Sequence, residues 1–522
     1  MAFARPNRAP MNLLSDPVFT VSTGGGQRQV ALPTVYHLLS SDQVEGFSKL
    51  QAHQRQGWHS FLAQLGAIAA EEAGKIPTRE SEWRAALNAL ARKEAWQLET
   101  ESLKKPAFMQ PPVPEGTLED FDEIHVGKYD VPVLSKNHAL KGERVKDPRP
   151  EHWTYMLVNV QTMESSWGRG KYPTSRVYGG YAARSFFGLT PSLRLGPWIM
   201  RDIEVLRDNV DVIADRYGYE EDVTPLLWTR PWDGEQQFDI TSLHPLYIDC
   251  ARRIRRGDDG WQQTGTSGTR VTGVANGQTG DPWAPVNEAE NKVLNPQRSH
   301  FQYRRLAQIL FGGEYRRPIS FSDTTEGFVV CRAITPTKTN REFHLQRIIP
   351  FSNASAEGFF EEDSAVAKEA ERRVDRAGDA ASILANALYL LLRDDDAHEQ
   401  NRGEEQRRVA DLSERQRQLD SFHSRIDDQF FDRLFDAGSM SDEERYTFWD
   451  EVLLDALKTQ LEEALDLCPS KDQWKRLART RSIAWARMRE TLPYAFHDTN
   501  ESNDDGERHD VPSDTPESNR AV

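Results

Sequence analysis

Cysteine is almost absent from this sequence. The three cysteines, Cys250, Cys331 and Cys468, lie far apart, and no two of them form a C-x-x-C pair. This spacing excludes a disulfide framework and argues against a zinc site with cysteine ligands. Free cysteines are usual in a reducing compartment, and we therefore predict a cytoplasmic protein.

Long apolar runs are also absent. No segment approaches the roughly 18 consecutive apolar residues that a membrane-spanning helix requires. The first residues, MAFARPNRAPMNLL, are basic but lack the apolar core of a secretory signal. With 38% hydrophobic and 28% charged residues, the composition is that of a globular protein with a hydrated surface, and no membrane partner is expected.

The sequence lacks the motifs of the common enzyme classes. It contains no Walker loop, no H-E-x-x-H and no G-x-S-x-G. His138 has no second histidine or acidic cluster at ligand spacing beside it, and the acidic run Asp394–Asp396 falls at the end of a predicted helix. We therefore predict no catalytic residue, no metal and no cofactor. A metal-dependent nuclease built on an acidic cluster is the alternative from a different class.

Negative charge is abundant but unevenly distributed. The formal net charge is −16, to which residues 1–350 contribute +1 and residues 351–522 contribute −17. Residues 136–184 contain nine Lys or Arg against four Asp or Glu. Phosphate binding depends on the local potential and not on the whole-chain sum, so the net charge does not exclude nucleic-acid binding by this region, and charge alone leaves both interpretations open. The acidic second part favours protein contacts, so a scaffold that does not bind DNA is a further alternative.

The sequence pattern changes from loop-rich to helical near residue 353. More than one domain is expected, because a chain of 522 residues is longer than one hydrophobic core usually organises. Before this point, residues 11–32 predict a β-hairpin that turns at Gly24–Gly26, and residues 51–73 and 80–100 predict helices, the first of them amphipathic. From about 120 to 350, glycine- and proline-rich loops separate short strand-like runs. Residues 1–353 are therefore predicted to form a loop-rich α+β domain.

Helical patterns dominate the rest of the chain. They cover residues 362–393, 404–436, 441–467 and 471–490, and the breaks between them are short. Short connections favour antiparallel neighbours, so residues 354–495 are predicted to form a C-terminal four-helix bundle. Residues 496–522 are acidic and almost without apolar side chains, which predicts a disordered tail.

One loop stretch, SKNHALK at 135–141, has the composition of a nucleic-acid contact. Lys136, Asn137, His138 and Lys141 offer cationic and hydrogen-bonding side chains for phosphates and base edges. An ordinary exposed loop has a similar composition, so these residues alone leave both interpretations open.

A second stretch, WGRGKYPTSR at 167–176, combines glycine with basic residues. Gly168 and Gly170 flank Arg169, and Lys171 follows directly. Without a Cβ, glycine lets the backbone approach a ligand closely, and the minor groove of DNA, about 6 Å wide, admits such a thin loop. A tight turn between strands explains the same pattern, so both interpretations again remain open.

A series of segments spans nearly the whole chain. They are NLLSDPVFTV at 12–21, HQRQGWHSFLAQLGAIA at 53–69, PAFMQPP at 106–112, SKNHALK at 135–141, WTYMLVNVQTMESSWGRGKYPTSRVYGGYAARSFFGL at 153–189, LLWTRPWDG at 226–234, LHPLYIDCARRIR at 243–255, GDPWAPV at 280–286 and KTNREFHLQRIIP at 338–350. In this order and spacing they resemble the CasA family, the large subunits of type I-E CRISPR Cascade complexes. Each motif is modest by itself, but the series is specific.

The resemblance implies a non-enzymatic subunit of an RNA-guided antiviral surveillance complex. Such subunits lie beside the 5′ handle of the CRISPR RNA, contact other Cascade subunits, and sample double-stranded DNA for the protospacer-adjacent motif (PAM). They help to open the duplex into an R-loop and recruit the helicase-nuclease. In such systems base pairing with the guide recognises the target, and protein recognises only the short flanking motif.

The resemblance also assigns roles to residues of this chain. The loop with Lys136, Asn137, His138 and Lys141 corresponds to the one that contacts the RNA handle and the PAM-proximal DNA. The run from Gly168 to Lys171 corresponds to the glycine loop that enters the minor groove of the PAM.

Two features of the family are altered here. The family has a hairpin wedge with a glutamine at its tip, and the corresponding residues of this chain are Thr335, Pro336, Thr337 and Lys338. None of them is glutamine, but a proline is able to act as a rigid apolar wedge. The family's lysine finger precedes the GDPW motif, but the corresponding segment RVTGVANG at 270–277 contains no lysine. We expect Arg270 or Asn276 to take the place of the lysine, and this replacement would change the PAM preference.

Overall fold

The computed structural model describes residues 10–124, 148–163, 176, 184–220, 223, 225–257, 260–265, 270–273, 276–322, 326–336, 341–352, 363–392, 413–466 and 474–499. The chain divides into two compact units, Met1–Ala367 and Lys368–Val522. The first combines helices with small sheets and the second is helical, which confirms the predicted α+β class with a C-terminal helical bundle. The division lies slightly beyond the boundary predicted at residue 353.

A buried helix organises the first unit. Its helices are α1 Leu32–Ser40, α2 Arg55–Glu72, α3 Glu80–Leu90, α4 Pro150–Thr162, α5 Leu195–Asp208, α6 Val210–Tyr217 and α7 Tyr303–Phe311. Every residue of α2 from Gln56 to Ala70 is buried, because α3, α4 and α5 pack around it. The predicted helix is confirmed, but its amphipathic character was wrong, since a helix enclosed on all sides has no exposed face. None of the helices described, in either unit, has the length and apolar content to cross a membrane.

The strands of this unit form small sheets. They are β1 Phe19–Thr23, β2 Gly26–Val30, β3 Gly46–Phe47, β4 Asp122–Ile124, β5 Phe186–Thr190, β6 Phe238–Asp239, β7 Arg253–Gly257, β8 Gly260–Thr264, β9 Val271–Thr272, β10 Val286–Asn287, β11 Lys292–Val293, β12 Tyr315–Arg316, β13 Glu326–Pro336 and β14 Arg341–Ser352. The sheet orders are β2-β1-β3, β11-β10-β12, β14-β13-β5 and β4-β8-β7, and β6 pairs in parallel with β9. The antiparallel β1 and β2 confirm the predicted hairpin.

The helix predicted over residues 80–100 is shorter than expected. α3 ends at Leu90, and Ala91 is extended with φ −160° and ψ 158°. A short 3-10 helix follows at Lys93–Trp96. The bend places Trp96 in the core, where its ring lies edge-on to that of Trp228 with 6.1 Å between the ring centroids. The prediction was wrong because this tertiary packing outweighs the local preference for a continuous helix.

The C-terminal helices are α8 Ala365–Leu392, α9 Ser413–Asp427, α10 Asp442–Asp466 and α11 Trp474–Thr491. All four correspond to predicted helices, but α9 ends at Asp427, and turns replace its predicted continuation to 436. Trp449, Leu453 and Leu457 of α10 are fully buried and form part of the core. The apolar spacing in the sequence therefore identified the helices but not the end of α9, because the apolar pattern continues through Phe430, Phe431, Leu434 and Phe435, which are buried although this stretch forms turns.

Helical structure extends past residue 496, where a disordered tail was predicted to begin. A 3-10 helix covers Pro493–Thr499, and the ring of Phe496 lies 6.3 Å from that of Trp485. The guanidinium of Arg489 lies 5.8 Å from the centroid of the same phenylalanine ring. The first residues of the predicted tail are thus packed onto α11, and residues 500–522 lie outside the described part of the chain.

Candidate nucleic-acid interface

Most of the predicted contact residues lie outside the described residues. These are Lys136, Asn137, His138 and Lys141 within 125–147, Gly168, Arg169, Gly170 and Lys171 within 164–175, and Thr337 and Lys338 within 337–340. The described residues on either side determine where each of these segments begins and ends. These anchor points are the part of the site that the structure defines.

The two ends of segment 164–183 are joined to each other. The backbone N–H of Arg184 donates to the carbonyl oxygen of Met163 over 3.4 Å. The side-chain amide of Gln56, in the first turn of α2, donates to the carbonyl oxygen of Arg184 over 2.5 Å and lies 3.7 Å from the sulfur of Met163. Because α2 is the enclosed central helix, the segment with the predicted glycine loop starts and ends on a rigid base.

Arg176 anchors the same segment in its interior. Its guanidinium lies 4.2 Å from the centroid of the Tyr247 ring, and Nη2 donates to the carbonyl oxygen of Pro245 over 2.9 Å. Burial by itself would lower the pKa of Arg176, but Tyr247 and the carboxylates of Asp281 and Asp249, among its neighbours, raise the pKa above its ordinary value. The guanidinium is therefore a buried cation that depends on nearby negative charge.

Arg184 forms a buried ion pair with Asp281. Its Nη2 lies 2.7 Å from Oδ1 of Asp281 and its Nε donates to Oδ2, and the two side chains are 1% and 2% exposed. The same Oδ1 accepts a hydrogen bond from the backbone N–H of Trp283 over 3.1 Å. The indole of Trp283 stacks on Phe186, with 5.5 Å between the ring centroids. The GDPW motif is therefore packed against the start of β5.

Gly280 precedes this ion pair in a conformation that requires glycine. Its φ is +63°, and a Cβ would lie 2.7 Å from Cγ2 of Ile213 and 2.8 Å from Cε2 of Tyr217. Gly280→Ala is expected to lower the free energy of unfolding by about 2–4 kcal/mol, because backbone strain and overpacking add. Denaturant unfolding measures this. In the control Gly74→Ala, φ is +69° but nothing lies within 4 Å, so a smaller loss is expected; equal losses would contradict the overpacking argument.

The two finger candidates occupy opposite environments. The side chain of Arg270 is fully buried, and it donates to the carbonyl oxygens of Cys250, Leu227 and Arg230 over 3.1, 2.8 and 3.0 Å. Burial lowers its pKa to about 10, which leaves the guanidinium charged at neutral pH. Arg270 thus stabilises the interior, and in this conformation it does not reach a ligand.

Asn276, by contrast, is exposed beside an open cleft. Its backbone has φ +50°, and its side-chain amide donates to the carbonyl oxygen of Asn291 over 3.1 Å. The cleft, of about 490 Å³, is lined by Asn291, by the cations Arg216 and Arg316 and by the carboxylate of Glu288. Arg316 is paired with Glu288 at 3.0 Å. Of the two candidates, Asn276 is the one whose position allows contact with a nucleic acid, and the cleft beside it has cations for phosphate.

Thr335 and Pro336 of the predicted wedge lie at the end of β13, in a long hairpin. β13 and β14 pair antiparallel as far as Pro336 and Arg341, with an irregularity between Thr335 and Pro336. β5 pairs only with residues 328–332 of β13, where Phe186 is opposite Arg332. Residues 333–336 therefore extend beyond β5, on the side from which segment 164–183 enters the sheet. The backbone register thus places residues 333–336 of β13 beyond the end of β5 at which Phe186 lies, two residues after Arg184.

Positive charge lies at the base of this hairpin. The guanidinium of Arg332 is 4.8 Å from the ring centroid of Trp198, and its Nε donates to the side-chain oxygen of Gln346 over 2.8 Å. Burial, with a contribution from the charge of Arg55, lowers the pKa of Arg332 to about 10. With this pKa the guanidinium of Arg332 is protonated at neutral pH, which favours a polyanion at this end of β5.

Segment 125–147, with the predicted RNA-handle loop, begins after β4 and ends before α4. Ile124 at the end of β4 pairs with Trp261 of β8. The ring of Trp261 stacks on that of Trp153 in α4, with 4.7 Å between the centroids. One aromatic pair therefore supports both ends of this segment.

Comparison with solved structures gives the fold of the chain. Cse1 from Thermobifida fusca aligns with a TM-score of 0.61 and 16% identity, over 93% of this chain and 98% of that chain. CasA (Cse1) from Thermus thermophilus aligns with a TM-score of 0.59 and 14% identity, over 92% and 100%. A chain of a CRISPR RNA-guided surveillance complex aligns with a TM-score of 0.52 and 13% identity, again over 92% and 100%. The chain has the CasA fold. No family model matches the sequence, and no curated protein sequence matches it.

The CasA fold of this chain is held together around the site by residues that sequence reasoning missed. Arg176, Arg184 and Asp281 all lie within the segments that resemble the family, but neither their burial nor their convergence is visible in composition. Arginine and aspartate are usually exposed, and only the three-dimensional packing shows that these are not. The one signal in the sequence that pointed to any of these three residues was the GDPW motif, in which Asp281 directly follows Gly280.

Within the described part of this CasA fold, no group of three or more His, Cys, Asp or Glu side chains is arranged to hold a metal ion. The acidic run Asp394–Asp396 lies outside the described residues. A metal-dependent nuclease therefore stays an alternative that rests on the sequence alone.

Proposed function

We propose that this chain is the PAM-recognition large subunit of a type I-E CRISPR Cascade complex. In this role it binds the flanking motif of double-stranded DNA, helps to open the duplex into an R-loop and recruits the helicase-nuclease. Its partners are the CRISPR RNA, the other Cascade subunits and target DNA, in the cytoplasm. The chain itself performs no catalytic step and needs no metal or cofactor.

The observation that carries this proposal is the end-to-end likeness to Cse1. The alignment leaves almost no part of this chain or of those chains unmatched, and the motif series in the sequence follows the same family. A stand-alone nuclease or a scaffold would not be expected to retain both the end-to-end likeness to Cse1 and the motif series. Fold alone does not determine function, so the proposal also depends on the chemistry of the site.

The anchor points support DNA contact at one edge of the first unit. The hairpin extends beyond β5 at the side where the glycine-loop segment enters the sheet, and Arg332 and Arg55 add positive charge there. Cations clustered on one surface create a local positive potential that attracts phosphate, although the net charge of the whole chain is negative. The thin glycine-rich run from Gly168 to Lys171 then has the composition for a narrow minor groove.

The decisive experiment compares reconstituted RNA-guided complexes with and without this chain. Each is bound to DNA duplexes that carry a randomised flank, and the bound flanks are sequenced. We expect a short motif to be enriched only when the chain is present. Enrichment of the same motif without the chain would overturn the proposal. Assembly that requires the chain without any enrichment would indicate a scaffold, and Mg²⁺-dependent cleavage by the isolated chain would indicate a nuclease.

The hairpin should act in duplex opening. Pro336→Gly combined with Lys338→Ala is expected to slow opening about tenfold, because a rigid wedge offsets part of the cost of unstacking a base step. Stopped-flow fluorescence of a base analogue beside the PAM measures the rate. A target already unpaired beside the PAM is the control and should bind as tightly as to the unsubstituted complex. Equal losses on both targets would mean that the hairpin only holds DNA.

A further inference from the structure

The cleft beside Asn276 adjoins a second, narrow cavity of about 40 Å³. The residues that line both of them are polar: Arg216, Tyr217, Gln278 and Arg316. Each of these side chains carries a group that is able to donate hydrogen bonds, and two of them are cations. The lining shared by the two cavities is therefore suited to a ligand with negatively charged acceptor atoms.

The two cations of the cleft are held differently. Arg216 is exposed in the last turn of α6, and no hydrogen bond or ion pair joins it to another residue in the part of the chain that the structure describes. Nη2 of Arg316 donates to the hydroxyl of Tyr217 over 3.3 Å, and its Nε lies 3.0 Å from Oε1 of Glu288. The side chain of Glu288 is 61% exposed. Because an exposed ion pair contributes little to stability, another anion is able to replace this carboxylate at small cost.

A cluster of amides fixes the rim of the cleft. The carbonyl oxygen of Asn291 accepts hydrogen bonds from the side-chain amides of Gln278 over 2.8 Å and of Asn276 over 3.1 Å. The backbone N–H of Val293 donates to the carbonyl oxygen of Asn276 over 3.2 Å. Asn291 lies in the turn between β10 and β11, and Glu288 begins the same turn. The exposed amide and the carboxylate partner of Arg316 are thus carried by one connected piece of backbone.

The size of the two cavities favours a phosphate of a polymer over a small molecule. Pockets that enclose a small ligand usually measure about 300–1,000 Å³, and the narrow cavity, with about 40 Å³, is far below this range. A phosphodiester in a strand that crosses the open cleft needs no enclosure. Its oxygens accept from guanidinium groups in the geometry that arginine offers.

We propose that Arg216 and Arg316 bind one phosphodiester of the target DNA, next to the base pair that faces Asn276, and that the phosphate replaces Glu288 as the partner of Arg316. This inference rests on the proposed function. A phosphate contact carries no sequence information, but it fixes the register of the protein on the duplex. The cleft therefore determines which base pair Asn276 meets, and Glu288 acts as a competitor that weakens binding wherever no phosphate is in place.

The first test removes each cation in turn, as Arg216→Ala and Arg316→Gln. Each variant should lower the affinity of the assembled complex by about tenfold at low salt, by the same factor for correct and incorrect PAM duplexes. The slope of log affinity against log salt should become shallower by about one. The matched control is Arg207→Ala, because Arg207 occupies the last turn of α5 as Arg216 does that of α6, but is paired with Asp208 at 2.6 Å. This control should change neither quantity.

The second test predicts the opposite sign. Glu288→Gln removes the competing carboxylate, so the complex should bind both duplexes about threefold more tightly at low salt, and the gain should disappear at high salt, where charges are screened. The gain should also disappear when Glu288→Gln is combined with Arg316→Gln, since the two residues act through one ion pair. Denaturant unfolding of the isolated chain should show little change for Glu288→Gln.

Three outcomes separate this inference from the proposed function. If Arg216→Ala and Arg316→Gln bind both duplexes with the unsubstituted affinity and salt slope, the cleft binds no DNA phosphate and the inference is overturned. If they instead impair assembly with the CRISPR RNA and leave DNA binding unchanged, the phosphate belongs to the RNA, and the inference is overturned as well. If the unsubstituted complex enriches no flanking motif, the proposed function fails, whereas a shallower salt slope in both arginine variants would still support the phosphate site.

Discussion

Gly170→Asp is expected to lower the affinity of the assembled complex for correct-PAM duplexes roughly 10- to 100-fold, which corresponds to the loss of a specific groove contact. A side chain at this position would meet sugar or base edges in a narrow groove, and its negative charge would repel the phosphates on both sides. The measurement is the equilibrium affinity of the complex for matched targets with correct and incorrect PAMs. Binding of the correct-PAM duplex as tightly as by the unsubstituted complex would show that this loop is not the recognition element.

Two variants of the same loop show which kind of contact is lost. Arg169→Ala or Lys171→Ala should cost about 1–3 kcal/mol for the correct PAM only, if the side chain contacts a base edge. If it contacts phosphate, the loss should be uniform across flanking sequences, and the dependence of affinity on salt should become shallower. Measurements at two salt concentrations distinguish these outcomes. The control is Lys75→Ala, since Lys75 is exposed in the connection between α2 and α3 and pairs with Glu82 at 2.9 Å.

The regular elements of this fold were predictable because their sequence patterns are local. The β1–β2 hairpin follows from strand-like runs around three glycines, and α8, α10 and α11 follow from apolar residues at helical spacing. Local patterns fail where the tertiary environment decides. α2 is enclosed on all sides although its sequence resembles an amphipathic helix, and the chain leaves α3 at Leu90 so that Trp96 is buried.

The interactions that support the candidate site could not be predicted from the sequence, and the predicted contact residues themselves stay predictions. The glycine and lysine residues of the proposed contacts are visible in the sequence, although an exposed loop or a tight turn has a similar composition. The ion pair between Arg184 and Asp281 does not stand out, because it joins residues almost a hundred positions apart in a loop-rich region. Arg270 illustrates the same difficulty, since a basic residue at a predicted finger position is in fact enclosed in the core.

Arg270→Ala is expected to lower the free energy of unfolding by about 3–5 kcal/mol, without a selective change in PAM preference. The substitution removes the side-chain donor to three carbonyl oxygens, of which, in the described part of the chain, only that of Leu227 also accepts a backbone hydrogen bond, from Arg230. It also removes a side chain that packs 4.8 Å from the ring centroid of Trp232 and 5.3 Å from that of Phe238. Unsatisfied acceptors and a cavity both destabilise the folded state. Denaturant unfolding of the isolated chain measures the loss.

The matched variant at the other finger candidate is Asn276→Gly, which should do the opposite. Glycine adopts the φ of +50° at this position without strain, so the free energy of unfolding should change by less than about 1 kcal/mol. The assembled complex should nevertheless change its preference among randomised flanks, because the exposed amide beside the cationic cleft is lost. If Asn276→Gly leaves the enriched motif unchanged, this segment does not recognise the PAM. If the folded fraction of Arg270→Ala complexes selects a new motif, Arg270 leaves the core when DNA binds, and the assignment to Asn276 is wrong.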